Sequence, residues 1–128
     1  MSFSRDDRGF GVLGGVPLAE LFDAPARFGA DPALTTPAYV YDLDGMVAEA
    51  RALDVGFGAA PHLIAFAVKA NSAGPIVRAF AASGLGAEVV SGGECELALA
   101  CGVPADKISM SGVGLARSAD GVAFTKEP

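Results

Sequence analysis

Lys69 stands at the end of an apolar run, Phe66-Ala-Val-Lys-Ala-Asn71, as one strongly hydrated cation between two alanines. Glu88 lies inside a second apolar run, Ala87-Glu-Val-Val90. An amine crowded by apolar walls loses solvation; its pKa falls and it becomes a nucleophile able to form an imine with an aldehyde. A carboxylate among apolar residues is expensive unless it is paired. If the two strands lie side by side and end level, Glu88 and Lys69 become neighbours. The acid then holds the lysine in place or pairs with a cofactor nitrogen. Each residue also has a simpler use, as a solvated lysine past a strand or a carboxylate satisfied by local hydrogen bonds.

Other polar positions are explained locally. Ser91-Gly-Gly-Glu94 has the spacing of a capping box at a helix start, and such a terminus can also face an anion. His62, the single histidine, opens a strand away from the lysine end and is assigned no chemistry. Cys95 and Cys101 fit neither a disulfide within one helix nor a metal spacing, and read as small buried hydrophobes in a reducing compartment.

The elements that must position Lys69 and Glu88 follow from periodicity. His62-Leu-Ile-Ala-Phe-Ala-Val68 is continuously apolar, as in a parallel strand covered on both faces. Alternation puts Ala65, Ala67 and Lys69 on one face and Phe66 and Val68 on the other. The large residues then meet covering helices, and the small ones leave room for something flat. Pro75 suits the first turn of a helix through Ser83, with Ile76, Val77 and Phe80 buried and Gly84 at its end. Gly86 to Val90 is a second strand, followed by a helix from Ser91 through Cys101 that Gly102 stops. Ile108 to Ser111 is a third strand. Strand ends fall at Lys69, Val90 and Ser111.

Upstream, residues 1–35 form an N-terminal segment, broken by Gly9, Gly11, Gly14, Gly15 and Pro17, with a short helix from Pro17 to Phe22. Residues 36–128 form the βα region. It opens with a strand at Ala38 to Tyr41 and a helix capped by Asp42 or Asp44 that buries Met46, Ala50, Leu53 and Phe57. Repeated strand-helix order predicts an α/β fold with a parallel sheet and right-handed crossovers. It is either an open doubly wound sheet or part of a (β/α)8 barrel. A whole barrel takes about 250 residues. The chain has 128 and cannot close one. In both architectures ligands bind at the C-terminal strand ends, where Lys69 lies.

Composition narrows the partners. Hydrophobic residues make up 52% and charged residues 19%, enough for a packed core. A net charge of −6 disfavours a nucleic-acid partner or an anionic membrane surface. No apolar window reaches the roughly 18 residues of a membrane span, and nothing reads as a signal peptide, so the expected location is cytoplasmic.

Three motifs in order resemble the opening of the fold type III pyridoxal-phosphate decarboxylases, in their diaminopimelate branch. They are Thr36-Pro-Ala-Tyr-Val-Tyr-Asp42, Phe66-Ala-Val-Lys-Ala-Asn71 and Gly84-Leu-Gly-Ala-Glu-Val-Val-Ser-Gly-Gly-Glu94. Gly15 to Leu18 resembles the segment before the first strand. The likeness runs over about residues 15–117. It implies a partial (β/α)8 TIM-type barrel of about three βα units, preceded by a β-domain strand at Ala38 to Tyr41. It implies pyridoxal 5'-phosphate as cofactor, with Lys69 as the catalytic, imine-forming lysine and Glu88, Ala67 and Ser91 beside the cofactor. It also implies an amino-acid substrate, meso-diaminopimelate giving L-lysine and carbon dioxide, and a homodimer or a complementary chain. Val89-Val90-Ser91-Gly92-Gly93 and Ala70-Asn71 favour this branch over ornithine, arginine, carboxynorspermidine or alanine-racemase-like enzymes. A non-catalytic, self-associating βα module is the rival of another class.

The chain departs from the family pattern in places. Phe66 replaces a frequent tyrosine, and Ser111-Gly-Val-Gly-Leu115 carries leucine where many relatives have lysine, with Arg117 nearby. The family's ring-stacking histidine, glycine-rich phosphate loop, acid facing the pyridine nitrogen, and β-domain cysteine and tyrosine all belong to later sequence. The expectation is a truncated N-terminal portion, inactive alone.

Overall fold

A computed structural model describes residues 3–24 and 35–111. The chain groups into two compact units, Met1–Glu49 and Ala50–Pro128.

In the first unit, strands β1 (Phe3–Arg5), β2 (Gly11–Leu13) and β3 (Val16–Pro17) form an antiparallel sheet in that order. Gly14 and Gly15 join β2 to β3, both with positive φ, which a tight two-residue hairpin needs and glycine supplies without strain. Helix α1 (Leu18–Asp23) starts after Pro17, close to its expected place. The small sheet was not anticipated, although Gly-Gly between apolar residues is a hairpin signal.

The strand expected at Ala38 to Tyr41 does not form. A strand needs a neighbour for its N–H and C=O groups, and none of the described residues pairs with this stretch; Tyr39 is 91% exposed. Helix α2 (Leu43–Phe57) is capped by Asp42, whose Oδ1 accepts from Gly45 N at 2.8 Å. Its expected apolar face is only partly covered: Met46 and Ala50 are half-buried, while Leu53 and Phe57 are 55% and 50% exposed. Spacing alone shows that a face is apolar; the His62 ring stacked on Phe57 covers that side chain only in part.

The second unit has the predicted alternation. Strands β4 (Ala65–Ala67), β5 (Gly86–Val89) and β6 (Ile108–Met110) form a parallel sheet in chain order. Helix α3 (Gly74–Ala82) links β4 to β5, and α4 (Gly92–Ala100) links β5 to β6. Pro75 lies in the first turn of α3, which buries Ile76, Val77 and Phe80 as expected. Gly84 and Gly102, at φ +93° and +91°, end the two helices in the left-handed conformation. The core contains Val68, Val77, Ala87, Val89, Cys95, Ala98, Cys101 and Val103, with Phe66, Ile108 and Met110 packed against it. Both cysteines are free and buried, as small hydrophobes. Among the described residues no helix is long and apolar enough to cross a membrane.

Candidate active site

Register and alternation divide the parallel sheet into two unlike faces. Ala65 pairs with Gly86, Ala67 with Glu88, and Glu88 with Ser109. These residues, with Ser111 two places beyond Ser109, share one face. The other face carries Phe66, Ala87, Val89, Ile108 and Met110, which pack into the core beneath α3 and α4. The ring of Phe66 lies 4.6 Å from that of Phe80 on α3. Bulk is sorted to the helix side, and the opposite side keeps alanine, glycine, serine and one acid.

At the C-terminal end of β4 the chain tightens into a 3₁₀ turn, Val68–Ala70, so the strand stops short of its expected end. Val68 is fully buried and anchors the turn. Lys69 projects toward the open face, its Nζ 3.4 Å from Oε1 of Glu88. Asn71 Oδ1 then accepts from Ala73 N at 3.0 Å and leads the chain into α3. The expected neighbourhood of Lys69 and Glu88 is therefore present. The expected desolvation of Lys69 is not: its side chain is 56% exposed. Alanine and glycine on the open face are too small to wall in a four-carbon stem. The ammonium is solvated and ion-paired.

Glu88 is more sheltered, with 22% of its side chain exposed. The Ser111 hydroxyl donates to the same Oε1 that meets Lys69. That hydrogen bond, together with the positive charge of Lys69, holds the Glu88 carboxyl below the usual glutamate range against the opposing effect of burial. Ser111 was read only as a strand end. Its sequence signal is parity: the residue opposite Glu88 in the third strand is Ser109, and two further along returns to the same face.

Ala67 lies beside Glu88 in register, where its methyl leaves the open face clear. Ser91 caps α4: its Oγ accepts from Glu94 N at 3.2 Å, and Glu94 Oε2 accepts from Val90 N at 2.8 Å. The start of α4 is thus fixed just after β5, at the same sheet end as Lys69. Leu115 and Arg117 lie outside the described residues. His62 is held away from this end, between Asp54 and the Ala60 carbonyl.

An amine at a strand end, a carboxylate fixed beside it and a face of small side chains fit a flat, aldehyde-bearing group. Lys69 would take the aldehyde, Glu88 would face the amine, and Ala65, Ala67 and Gly86 would give the ring room.

Residues 43–120 match the family model described as the pyridoxal-dependent decarboxylase, pyridoxal binding domain. The chain is 42% identical over 111 residues to diaminopimelate decarboxylase of Pseudomonas fluorescens, covering 84% of this chain and 25% of that protein. It is 44% identical over 103 residues to the enzyme of the same name from Zymomonas mobilis, covering 77% and 22%. The chain spans about a quarter of the length of these curated relatives. Among solved structures, it resembles AQ1208 from Aquifex aeolicus with TM-score 0.68 and 34% identity, over 88% of this chain and 25% of that one. It also resembles a diaminopimelate decarboxylase from Helicobacter pylori solved in complex with L-lysine, with TM-score 0.59 and 37% identity, over 65% and 21%.

Proposed function

We infer a function from one premise: the chain belongs to the pyridoxal-dependent decarboxylases, whose pyridoxal-binding domain it carries over residues 43–120. It serves the decarboxylation of an amino acid, most specifically meso-diaminopimelate to L-lysine. The pairing of Lys69 with Glu88 on the small-residue face of the sheet carries this reading. The three parallel strands with helices α3 and α4 would supply part of a (β/α)8 barrel, completed by further sequence, in a homodimer or by a complementary chain. The expected setting is the cytoplasm.

In this arrangement Lys69 would hold pyridoxal 5'-phosphate through its amine. When bound, the cofactor supplies an electron sink for the electron pair left as an α-carboxylate departs as carbon dioxide. Glu88 keeps the amine on the open face through their contact. Phe66 and Val68, locked into the core, set the direction in which Lys69 leaves the strand. Ala67 keeps the space beside the amine clear, and Ser91 holds the start of α4 beside it.

The test is to add pyridoxal 5'-phosphate to the full chain, reduce with borohydride and map the adduct. Labelling concentrated on Lys69, and abolished in a folded Lys69→Ala variant, supports the reading. Labelling spread over Lys107 and Lys126 in the parent chain overturns it.

A further inference from the structure

We propose that Ser111 is a positioning residue for the Lys69 site: its hydroxyl donates to Glu88 Oε1 and keeps that carboxylate turned toward the amine. The inference rests on Lys69 being the cofactor-bearing amine. Glu88 has three rotatable side-chain bonds, and its contact with Lys69 at 3.4 Å is long and partly solvated. An ion pair of that kind holds a side chain weakly. Ser111 is better anchored. Its backbone N–H donates to Val89 O at 3.0 Å, extending the β5–β6 ladder by one residue beyond Met110. The sheet itself therefore sets where the hydroxyl lies.

Two donors converge on one oxygen, and they differ in chemistry. Lys69 contributes charge through an amine that is also the group an aldehyde would take. Ser111 is a neutral donor that stays in place whatever the state of the lysine. With Ser111 present, Glu88 retains a partner when the ion pair is lost, and a partly buried carboxylate is not left bare. A hydroxyl donor to a carboxylate also favours the ionised form. The carboxyl is held below the usual glutamate range by this hydrogen bond first and by the lysine charge second.

The experiment follows the Glu88 side-chain carboxyl by carbon NMR across a pH titration of the full chain, without cofactor. Four proteins are compared: the parent, Ser111→Ala, Ser111→Thr and Ser109→Ala. Ser111→Ala is expected to move the Glu88 midpoint upward. Ser111→Thr, which keeps the hydroxyl, should hold it at the parent value. Ser109→Ala removes a hydroxyl from the same face beside Glu88 and should leave the midpoint unchanged. An identical midpoint in the parent and Ser111→Ala overturns the proposal. So does an upward shift that threonine fails to prevent, because the effect then arises from packing and not from the donor. Borohydride trapping of separate aliquots of the same proteins after addition of pyridoxal 5'-phosphate judges the parent reading separately: loss of Lys69 selectivity removes the cofactor assignment, while the titration still decides whether Ser111 governs Glu88.

Discussion

The rings of Phe66 and Phe80 lie 4.6 Å apart, and this contact decides which way β4 faces. With Phe66 held against α3, alternation leaves Ala65 and Ala67 no choice but the open side, and Lys69 follows. Phe66→Ala should therefore cost stability and site geometry together. Because Phe66 is only half-buried, the expected loss is roughly 2–3 kcal/mol, below the range for a fully enclosed ring. Urea unfolding measures it, and Phe66→Leu should lose less.

Gly86 is the tightest point of the sheet. A β-carbon there would collide with the carbonyl oxygen of Lys107 and press on Leu63. Backbone cannot swing aside as a side chain can, so Gly86→Ala should force β5 and β6 apart at about 1–3 kcal/mol. Gly92, at the start of α4, has open space around the same position. Gly92→Ala should be neutral or slightly stabilising. Thermal melting of the two variants side by side checks the contrast, and equal melting temperatures would remove the steric explanation.

Ser91→Ala removes the cap of α4. The expected cost is about 1 kcal/mol, the usual value for loss of a side-chain N-cap. The helix start should fray, which hydrogen exchange would register as faster exchange of the Glu94 amide.

The βα part was legible because each of its signals is local and agrees with the next. Pro75 and Gly84 bracket α3, Ser91 and Gly102 bracket α4, and the apolar runs between them can only be strands. The pairing of Lys69 with Glu88 followed, since parallel strands of similar length align their ends. What failed depends on partners that a local pattern does not contain. Ala38 to Tyr41 has strand composition but no neighbouring strand among the described residues. Leu53 and Phe57 have helical spacing but stay half-exposed, with Phe57 stacked on the His62 ring. The solvation of Lys69 depends on the size of residues across the face. Ser111 needed register, which spacing suggests only to within one residue.

The thiols of Cys95 and Cys101 are 3% and 6% exposed at the residue level, inside the core that α4 shares with the sheet. Burial also pushes the Cys95 thiol up, which lowers its thiolate fraction. Both should resist a small alkylating reagent in the folded chain and react together on unfolding. Mass spectrometry during a urea series should show them gaining label along the same transition. Label on one cysteine well before the other would mean that α4 opens independently of the core.

His62 links the end of α2 to the approach of β4, and its bonding gives stability a definite pH dependence. Nδ1 faces the Ala60 carbonyl at 2.7 Å, Nε2 faces Asp54 Oδ1 at 2.9 Å, and the ring stacks on Phe57 at 4.7 Å. Both nitrogens meet acceptors, so the doubly protonated ring satisfies both. The Ala60 carbonyl first, then Asp54, raise the His62 pKa above its ordinary value, and burial opposes them only in part. A raised folded-state value means that the contribution is complete below the unfolded histidine value, about 6.5. It is lost as pH rises through the higher folded value. Arg51 and Lys107 line the same hollow. Unfolding free energies of the parent and His62→Asn should therefore differ most in mild acid and converge as pH rises through the folded-state value. A difference that stays constant with pH, or grows as pH rises, would show that the ring contributes through its stacking on Phe57 and not through its charge.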